Sequence, residues 1–129
     1  MPASAETVAQ RLHYVKQDGQ QVFKYAVRRM AELATCLLER NGFTSDDLKL
    51  VVPHQANLRI IRAMQQRIGV DDSKVMVNID RYGNTTAGTI PLGLRDAVAE
   101  GRLKKGDLVL LAAVGAGYTT GGVLLRWAF

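Results

Sequence analysis

Two short polar segments interrupt a pattern of apolar strands and amphipathic helices, and each sits where a strand is expected to end. The first is Val52-Pro53-His54-Gln55-Ala56-Asn57, between a buried apolar run and the start of a helix. In open α/β sheets functional groups gather at the carboxyl ends of strands, so His54 is well placed for chemistry. A histidine there also serves simply to cap the helix or to satisfy a loop carbonyl. The second is Tyr82-Gly83-Asn84-Thr85-Thr86-Ala87-Gly88-Thr89. A tight glycine-punctuated turn whose threonines cap the next helix accounts for it as readily as a site does. A third stretch, Gly115-Ala116-Gly117, lets backbone approach a ligand closely or only bends the chain between strands.

The elements that must position these segments follow from periodicity. From Gln21 to Arg40 apolar residues fall at Val22/Phe23, Ala26/Val27, Met30, Leu33/Ala34 and Leu37/Leu38, a spacing that predicts a long helix with one buried face. Lys24, Arg28, Glu32 and Glu39 lie off that stripe, and Asn41-Gly42 ends it. Leu48–Val52 reads as a buried strand cut off by Pro53. A second helix is expected from about Ala56 to Ile68, with Ile60, Ile61, Met64 and Ile68 inward and Gly69 as its stop. Val75–Ile79 reads as another strand. A third helix follows the Tyr82–Thr89 loop, with Pro91 in its first turn and Ile90, Leu94, Ala97 and Val98 as its apolar face. Leu108–Val114 and Val123–Trp127 close the chain as antiparallel strands. Residues 1–12 look irregular, and His13–Lys16 reads as a short strand or arm ended by Asp18-Gly19. The order α-β-α-β-α-β-β predicts an α/β domain, a layered mixed sheet covered by helices on both faces.

Composition narrows the function classes. At 129 residues and 14.1 kDa the chain fits one domain, 47% hydrophobic and 22% charged. No apolar run reaches the roughly 18 residues that span a bilayer, and no signal peptide opens the chain, so a membrane partner is not expected. The single cysteine, Cys36, excludes an internal disulfide framework and fits a reducing, cytoplasmic location. The net charge of +5 favours an acidic partner. Basic residues are dispersed and aromatics are only 6%, so a nucleic-acid partner rests on charge alone and is not expected. No metal site or cofactor is expected.

Taken together, Val52–Asn57, the segment Gly83-Asn84-Thr85-Thr86-Ala87-Gly88-Thr89 and the run from Gly106 through Tyr118 closely resemble β-ketoacyl-[acyl-carrier-protein] synthase III, of the thiolase-like condensing enzymes. The resemblance covers about Gln20 to Phe129. It implies a thiolase-like half-fold, with residues 1–20 a lead-in and 21–129 the carboxy-terminal domain. It also implies an acyltransferase that starts fatty acid biosynthesis by condensing an acyl-CoA with malonyl-carrier protein. Carried over by motif, the family's His is His54 and its Asn is Asn84. Loss of carbon dioxide from a malonyl thioester leaves an enolate, whose oxygen an imidazole N–H and a carboxamide N–H can stabilise. Removing one such donor typically costs about 3–4 kcal/mol of barrier. Gly115 and Gly117 flank Ala116, whose backbone N–H resembles the donor to the acyl-thioester oxyanion. Asn57 resembles a residue lining the pantetheine tunnel. Arg59, Arg62 and Arg67 are candidates for docking the acidic carrier protein, with Arg59 and Arg62 spaced to share a helix face.

The family's nucleophile, a cysteine at the amino end of a buried helix in the first half of the enzyme, has no counterpart here. Cys36 lies mid-helix beside the apolar stripe, and a buried thiol without a positive neighbour is inert. His13 and Trp127 likewise take structural readings. Family members are about twice as long, so the chain is expected to be a second half, with Met1 an internal residue or an artificial start. It should then be inactive in full turnover, partner an amino-terminal half and a dimer mate, and self-associate when alone. The competing reading is a non-catalytic module that binds thioesters or carrier protein.

Overall fold

The computed structural model describes residues 2–14 and 16–129. Its elements run α1 (Ala5–Ala9), α2 (Gly19–Arg40), β1 (Leu50–Pro53), α3 (Leu58–Ile68), α4 (Ile79–Tyr82), α5 (Thr89–Ala99), β2 (Leu108–Gly115) and β3 (Thr119–Arg126). Single 3-10 turns lie at Asp72–Lys74, Thr86–Gly88 and Ala116–Tyr118.

Caps decide where several helices begin. Asp18 Oδ1 accepts from the Gln20 and Gln21 N–H groups at 3.1 and 3.0 Å, so Asp18-Gly19 opens α2 and does not close a strand. Ser4 and Thr7 form a reciprocal capping box, which makes a short helix of residues expected to be irregular. His13 and Tyr14 turn, with His13 Nε2 2.8 Å from Thr7 Oγ1, and form no strand. Val15, part of that expected strand, lies outside the described residues. Gly69 takes the left-handed conformation, φ 71°, that ends α3.

The sheet has the order β1-β2-β3. β1 runs parallel to β2, from Leu50 opposite Val109 to Pro53 opposite Ala112. β3 is antiparallel to β2, from Thr119 opposite Gly115 to Arg126 opposite Leu108. β3 therefore begins four residues earlier than expected, and Ala116–Tyr118 makes the turn. The strand expected at Val75–Ile79 is reduced to one parallel bridge, Val51 to Val75, with the Met76 N–H donating to Val51 O at 2.8 Å. Buried polar contacts pull the chain away from the sheet edge after Met76. The Asn78 N–H donates to Gln55 Oε1 at 3.1 Å and its Nδ2 to Asp96 Oδ2 at 2.9 Å, and α4 starts at the next residue.

The period of two along the strands sends alternate residues to two cores. Val51, Leu108, Leu110 and Ala112 pack under α2 and α3, against Ala26, Met30, Ala34, Ile61 and Met64. Leu50, Val52 and Val109 pack with Met76 and Ala97 on the α5 side. Burying each such aliphatic side chain stabilises by about 1.5–3 kcal/mol. The approach of α5 to β1 depends on Gly93, where a Cβ would lie 2.7 Å from Val52 Cγ1. This contact turns Thr89, Gly93, Asp96 and Ala97 inward, and Val98, expected on the apolar face, is half exposed. Cys36 is also exposed, against expectation. At 100° per residue it lies on the opposite side of α2 from Ala34 and Leu38, which bracket it.

Candidate functional site

β1 and β2 are parallel, so their carboxyl ends share one edge of the sheet, and the candidate residues collect there. The His54 N–H donates to Ala112 O at 2.8 Å, carrying the pairing one residue past β1. Gln55 then turns inward, fully buried, and its Nε2 donates to Pro53 O at 2.9 Å and Met76 O at 3.1 Å. These bonds fix the backbone on both sides of His54. Asn57 Oδ1 accepts from the Arg59 N–H at 2.8 Å and caps α3.

The His54 ring reaches α5. Its Nδ1 lies 2.6 Å from the Oγ1 of Thr89, a residue only 2% exposed, and Thr89 Oγ1 lies 3.1 Å from Thr86 O. The Thr86 N–H in turn donates to Asn84 Oδ1 at 3.0 Å. A continuous hydrogen-bonded path therefore joins Asn84 to His54 through Thr86 and Thr89. Thr86 takes φ 52°, unusual for a β-branched residue, and strain of that kind persists only where surrounding bonds hold it. With Oδ1 engaged, the exposed Asn84 amide keeps its Nδ2 hydrogens for another acceptor, and Nδ2 has no partner among the described residues. Burial lowers the pKa of His54, so the ring is neutral near pH 7 and one nitrogen carries its hydrogen.

The Gly115–Gly117 turn closes the same edge. Gly117 has φ 71° and Tyr118 φ 55°. Tyr25 on α2 donates its hydroxyl to the Tyr118 carbonyl, and the two rings meet edge-on at 4.6 Å. Thr119 Oγ1 donates to Ala116 O at 3.3 Å. The turn that carries Ala116 is thus held by α2 from one side and β3 from the other.

The basic candidates divide. Arg59 lies over the Phe23 ring, 5.6 Å from its centroid. Beside it runs an open groove of about 750 Å³ lined by Phe23, Lys24, Arg28, Arg67 and Tyr118, among others. Arg62 is engaged elsewhere, 3.1 Å from Asp72 and 3.0 Å from Gln65 Oε1. Sequence spacing put Arg59 and Arg62 within reach of one face, but Arg59 and Arg67 are the pair found with α2. Lys24 and Arg28 were visible only as off-stripe charges, because nothing in the sequence says which face of α2 borders α3. Thr89 was part of the loop segment but carried no signal of its own toward His54.

Among the described residues no three His, Cys, Asp or Glu side chains cluster to hold a metal. No described helix is long and apolar enough to cross a membrane.

Residues 38–127 match the family described as 3-Oxoacyl-[acyl-carrier-protein (ACP)] synthase III C terminal. Over 128 residues, 99% of the chain, the sequence is 66% identical to the beta-ketoacyl-[acyl-carrier-protein] synthase III of Solibacter usitatus and 58% identical to that of Koribacter versatilis. Those alignments cover 39% and 38% of the relatives, so the chain spans about two fifths of the length of the curated relatives it matches. Among solved structures, the 3-oxoacyl-[acyl-carrier-protein] synthase III of Aquifex aeolicus superposes with a TM-score of 0.87 at 46% identity, over 90% of this chain and 38% of that one. The corresponding Pseudomonas aeruginosa structure gives 0.88 at 38% identity, over 99% of this chain and 39% of that one. The mixed sheet with helices on both faces is the thiolase-like arrangement of these neighbours.

Proposed function

The chain belongs to the 3-oxoacyl-[acyl-carrier-protein] synthase III C-terminal family, and from that premise we propose that it supplies the decarboxylating half of a condensing site. The reaction joins an acyl-CoA starter to malonyl-carrier protein. The bond from the malonyl α-carbon to its carboxylate breaks, carbon dioxide leaves, and the electron pair passes to the thioester oxygen as an enolate. His54 and Asn84 each present an N–H to that oxygen. The enolate carbon then attacks the acyl thioester, and the Ala116 N–H receives the oxyanion that forms; its collapse breaks the thioester C–S bond, releases the nucleophile's thiolate and leaves the β-ketoacyl product on the carrier protein. Preorganised donors are worth most where water is excluded, because the local dielectric is low.

The observation that carries this reading is that His54, held 2.6 Å from Thr89 Oγ1, and Asn84, its Oδ1 bonded to the Thr86 N–H, come together at the sheet edge that also bears the Gly115–Gly117 turn. Arg59, Arg67, Lys24 and Arg28 form a basic approach for an acidic carrier protein, beside a groove that Tyr118, two residues from Ala116, also lines. Asn57, with Oδ1 spent on the cap, offers its Nδ2 hydrogens to a pantetheine arm. The acyl nucleophile comes from outside this chain, from an amino-terminal half of the same cytoplasmic, homodimeric enzyme.

A second reading is a carrier-protein or thioester binding module without turnover, since the one cysteine of the chain, Cys36, lies inside α2 and not at a helix start. The test separates them. The chain is joined to the amino-terminal part of the Solibacter usitatus enzyme, and malonyl-thioester decarboxylation and condensation are measured. Activity is expected in the joined protein, with a loss of about 10²–10³-fold in His54→Ala or Asn84→Ala. Undiminished activity in both variants sinks the assigned roles. Carrier-protein binding with no turnover in the parent favours the module.

A further inference from the structure

The parallel pairing at the Val51–Val75 bridge goes no further along the two segments, and the chemistry of residue 53 is the reason. The Met76 N–H donates to Val51 O at 2.8 Å. In a regular parallel ladder the next bonds would run from the N–H of residue 53 to Met76 O, and from the Asn78 N–H to the carbonyl of residue 53. Residue 53 is proline and has no N–H to give. One side chain takes up all three groups left over. Gln55 Nε2 donates to Pro53 O at 2.9 Å and to Met76 O at 3.1 Å, and its Oε1 accepts from the Asn78 N–H at 3.1 Å.

Gln55 is only 1% exposed, and these bonds use both of its amide hydrogens and its carbonyl oxygen. An ionised carboxylate in its place would have no hydrogen for the two backbone carbonyls. Two backbones bridged through a carboxamide stand farther apart than two joined by a direct N–H···O bond, so this rung is also a spacer. It lies between the segments that carry the two candidate donors. His54 stands between Pro53 and Gln55. Asn78 precedes the single turn of α4, which the Gly83 N–H closes at 2.8 Å to Ile79 O, and Asn84 is the next residue. Asn78 is held from the other side by Asp96 on α5, whose Oδ2 its Nδ2 reaches at 2.9 Å.

We propose that Gln55 is a positioning residue: its carboxamide replaces the ladder rung that Pro53 cannot make and sets the gap between the His54 segment and the one that leads to Asn84. For its catalytic consequence this rests on the reading of those two residues as donors to the thioester oxygen. One oxygen must lie within hydrogen-bond reach of both N–H groups, so the gap between their segments is a dimension of the site. A displacement of about 1 Å there is enough to cost roughly 10²-fold in rate. Gln55 has no free hydrogen for a substrate and acts only through its neighbours.

Gln55→Met keeps the length of the side chain and loses all three bonds. Gln65→Met is the control, since Gln65 is also buried but spends its amide on Val70 O, away from both segments. In the chain joined to the Solibacter usitatus amino-terminal part, Gln55→Met is expected to lower kcat for malonyl-thioester decarboxylation about 10–10²-fold with KM little changed. Transfer of the acyl group from acyl-CoA to the enzyme, which does not need the two donors, should stay within about twofold of the parent, as should both half-reactions in Gln65→Met. Equal losses in the two half-reactions, or in the two variants, overturn the proposal. Spectra of the ¹⁵N-labelled full chain need no turnover. The Asn84 side-chain amide and the His54 ring signals are expected to move in Gln55→Met and hold in Gln65→Met, and signals that hold in both overturn it. Should Gln55→Met fail to fold, the parent decides: its Gln55 amide hydrogens should exchange slowly and couple across hydrogen bonds to the carbonyl carbons of Pro53 and Met76, and absence of either coupling overturns the proposal. If His54→Ala and Asn84→Ala leave decarboxylation undiminished, the donor roles fail by themselves, and the spectra alone decide the placement by Gln55.

Discussion

Burial of His54 has a consequence for stability as well as for chemistry. Its pKa in the folded chain lies below the ordinary value near 6.5, and desolvation of the charged ring is the cause. Between the two values the unfolded chain binds more protons than the folded one. Stability therefore rises with pH through that window, is complete above about 6.5, and declines as pH falls below it. Urea denaturation at pH 7.5 and 5.5 is expected to show a loss for the parent that His54→Gln lacks in part. An equal loss in both proteins would assign the effect to other groups. At this scale the sequence was partly legible. His54 and Asn84 stand out in the sequence because the motifs around them are specific, but the contact of His54 with Thr89 is a tertiary one across 35 residues. Cys36 was misplaced for a simpler reason. Neighbouring apolar residues made it look buried, whereas its angle on the helix puts it on the solvent side.

The elements stand where they do because of small residues and a buried polar cluster. Gly122 on β3 faces α2, and a Cβ there would lie 2.9 Å from Leu33 Cδ2, 3.0 Å from Leu37 Cδ1 and 3.1 Å from Leu111 O. One of these neighbours is backbone and cannot swing aside. Gly122→Ala is expected to destabilise by about 1–3 kcal/mol, the range for overpacking, read as a lower urea midpoint at unchanged slope. Gly121→Ala is the control, since nothing lies within 4 Å of the added carbon, and its midpoint should not fall. Equal effects would mean that strand propensity dominates over helix contact. Asp96 is the second fixed point. The Asn78 amide, then the Arg81 and Arg95 guanidiniums, hold its carboxyl below the usual range against the opposing effect of burial. Asp96→Ala leaves Asn78 and Arg81 without their carboxylate and should lower the thermal midpoint more than Arg95→Ala, which removes only an exposed partner. This cluster also explains what periodicity could not reveal. Helical spacing gave α2, α3 and α5 to within a few residues, and alternating burial gave β1 and β2. The apolar run at Val75–Ile79 satisfies every local rule for a strand. It is overruled by Gln55, Asn78 and Asp96, which lie far apart in sequence and meet only in the fold.

Across the whole molecule the basic excess is unevenly used. Of the 17 lysines and arginines, Arg62, Arg81 and Arg95 face carboxylates at 3.0–3.1 Å, so their charge is locally matched. Lys24, Arg28, Arg59 and Arg67 instead gather around the groove between α2 and α3, where Phe23 gives Arg59 an aromatic surface to lie on. Arg28 is partly matched by Glu32, 3.9 Å away. A surface of this kind attracts an acidic partner over about a Debye length, roughly 8–10 Å at moderate salt, so its contribution must fall as salt rises. Charge reversal distinguishes docking from general charge. Arg59→Glu and Arg67→Glu are expected to weaken binding of an acidic acyl carrier protein about tenfold at low salt, with much of the difference gone at 0.5 M NaCl. Arg62→Glu changes the net charge by the same amount but sits beside Asp72, away from the groove, and should cost far less. Fluorescence anisotropy of labelled carrier protein at several salt concentrations makes the comparison. Equal losses at all three positions would reduce the effect to net charge. No loss at Arg59 and Arg67 would move the proposed docking surface off α3.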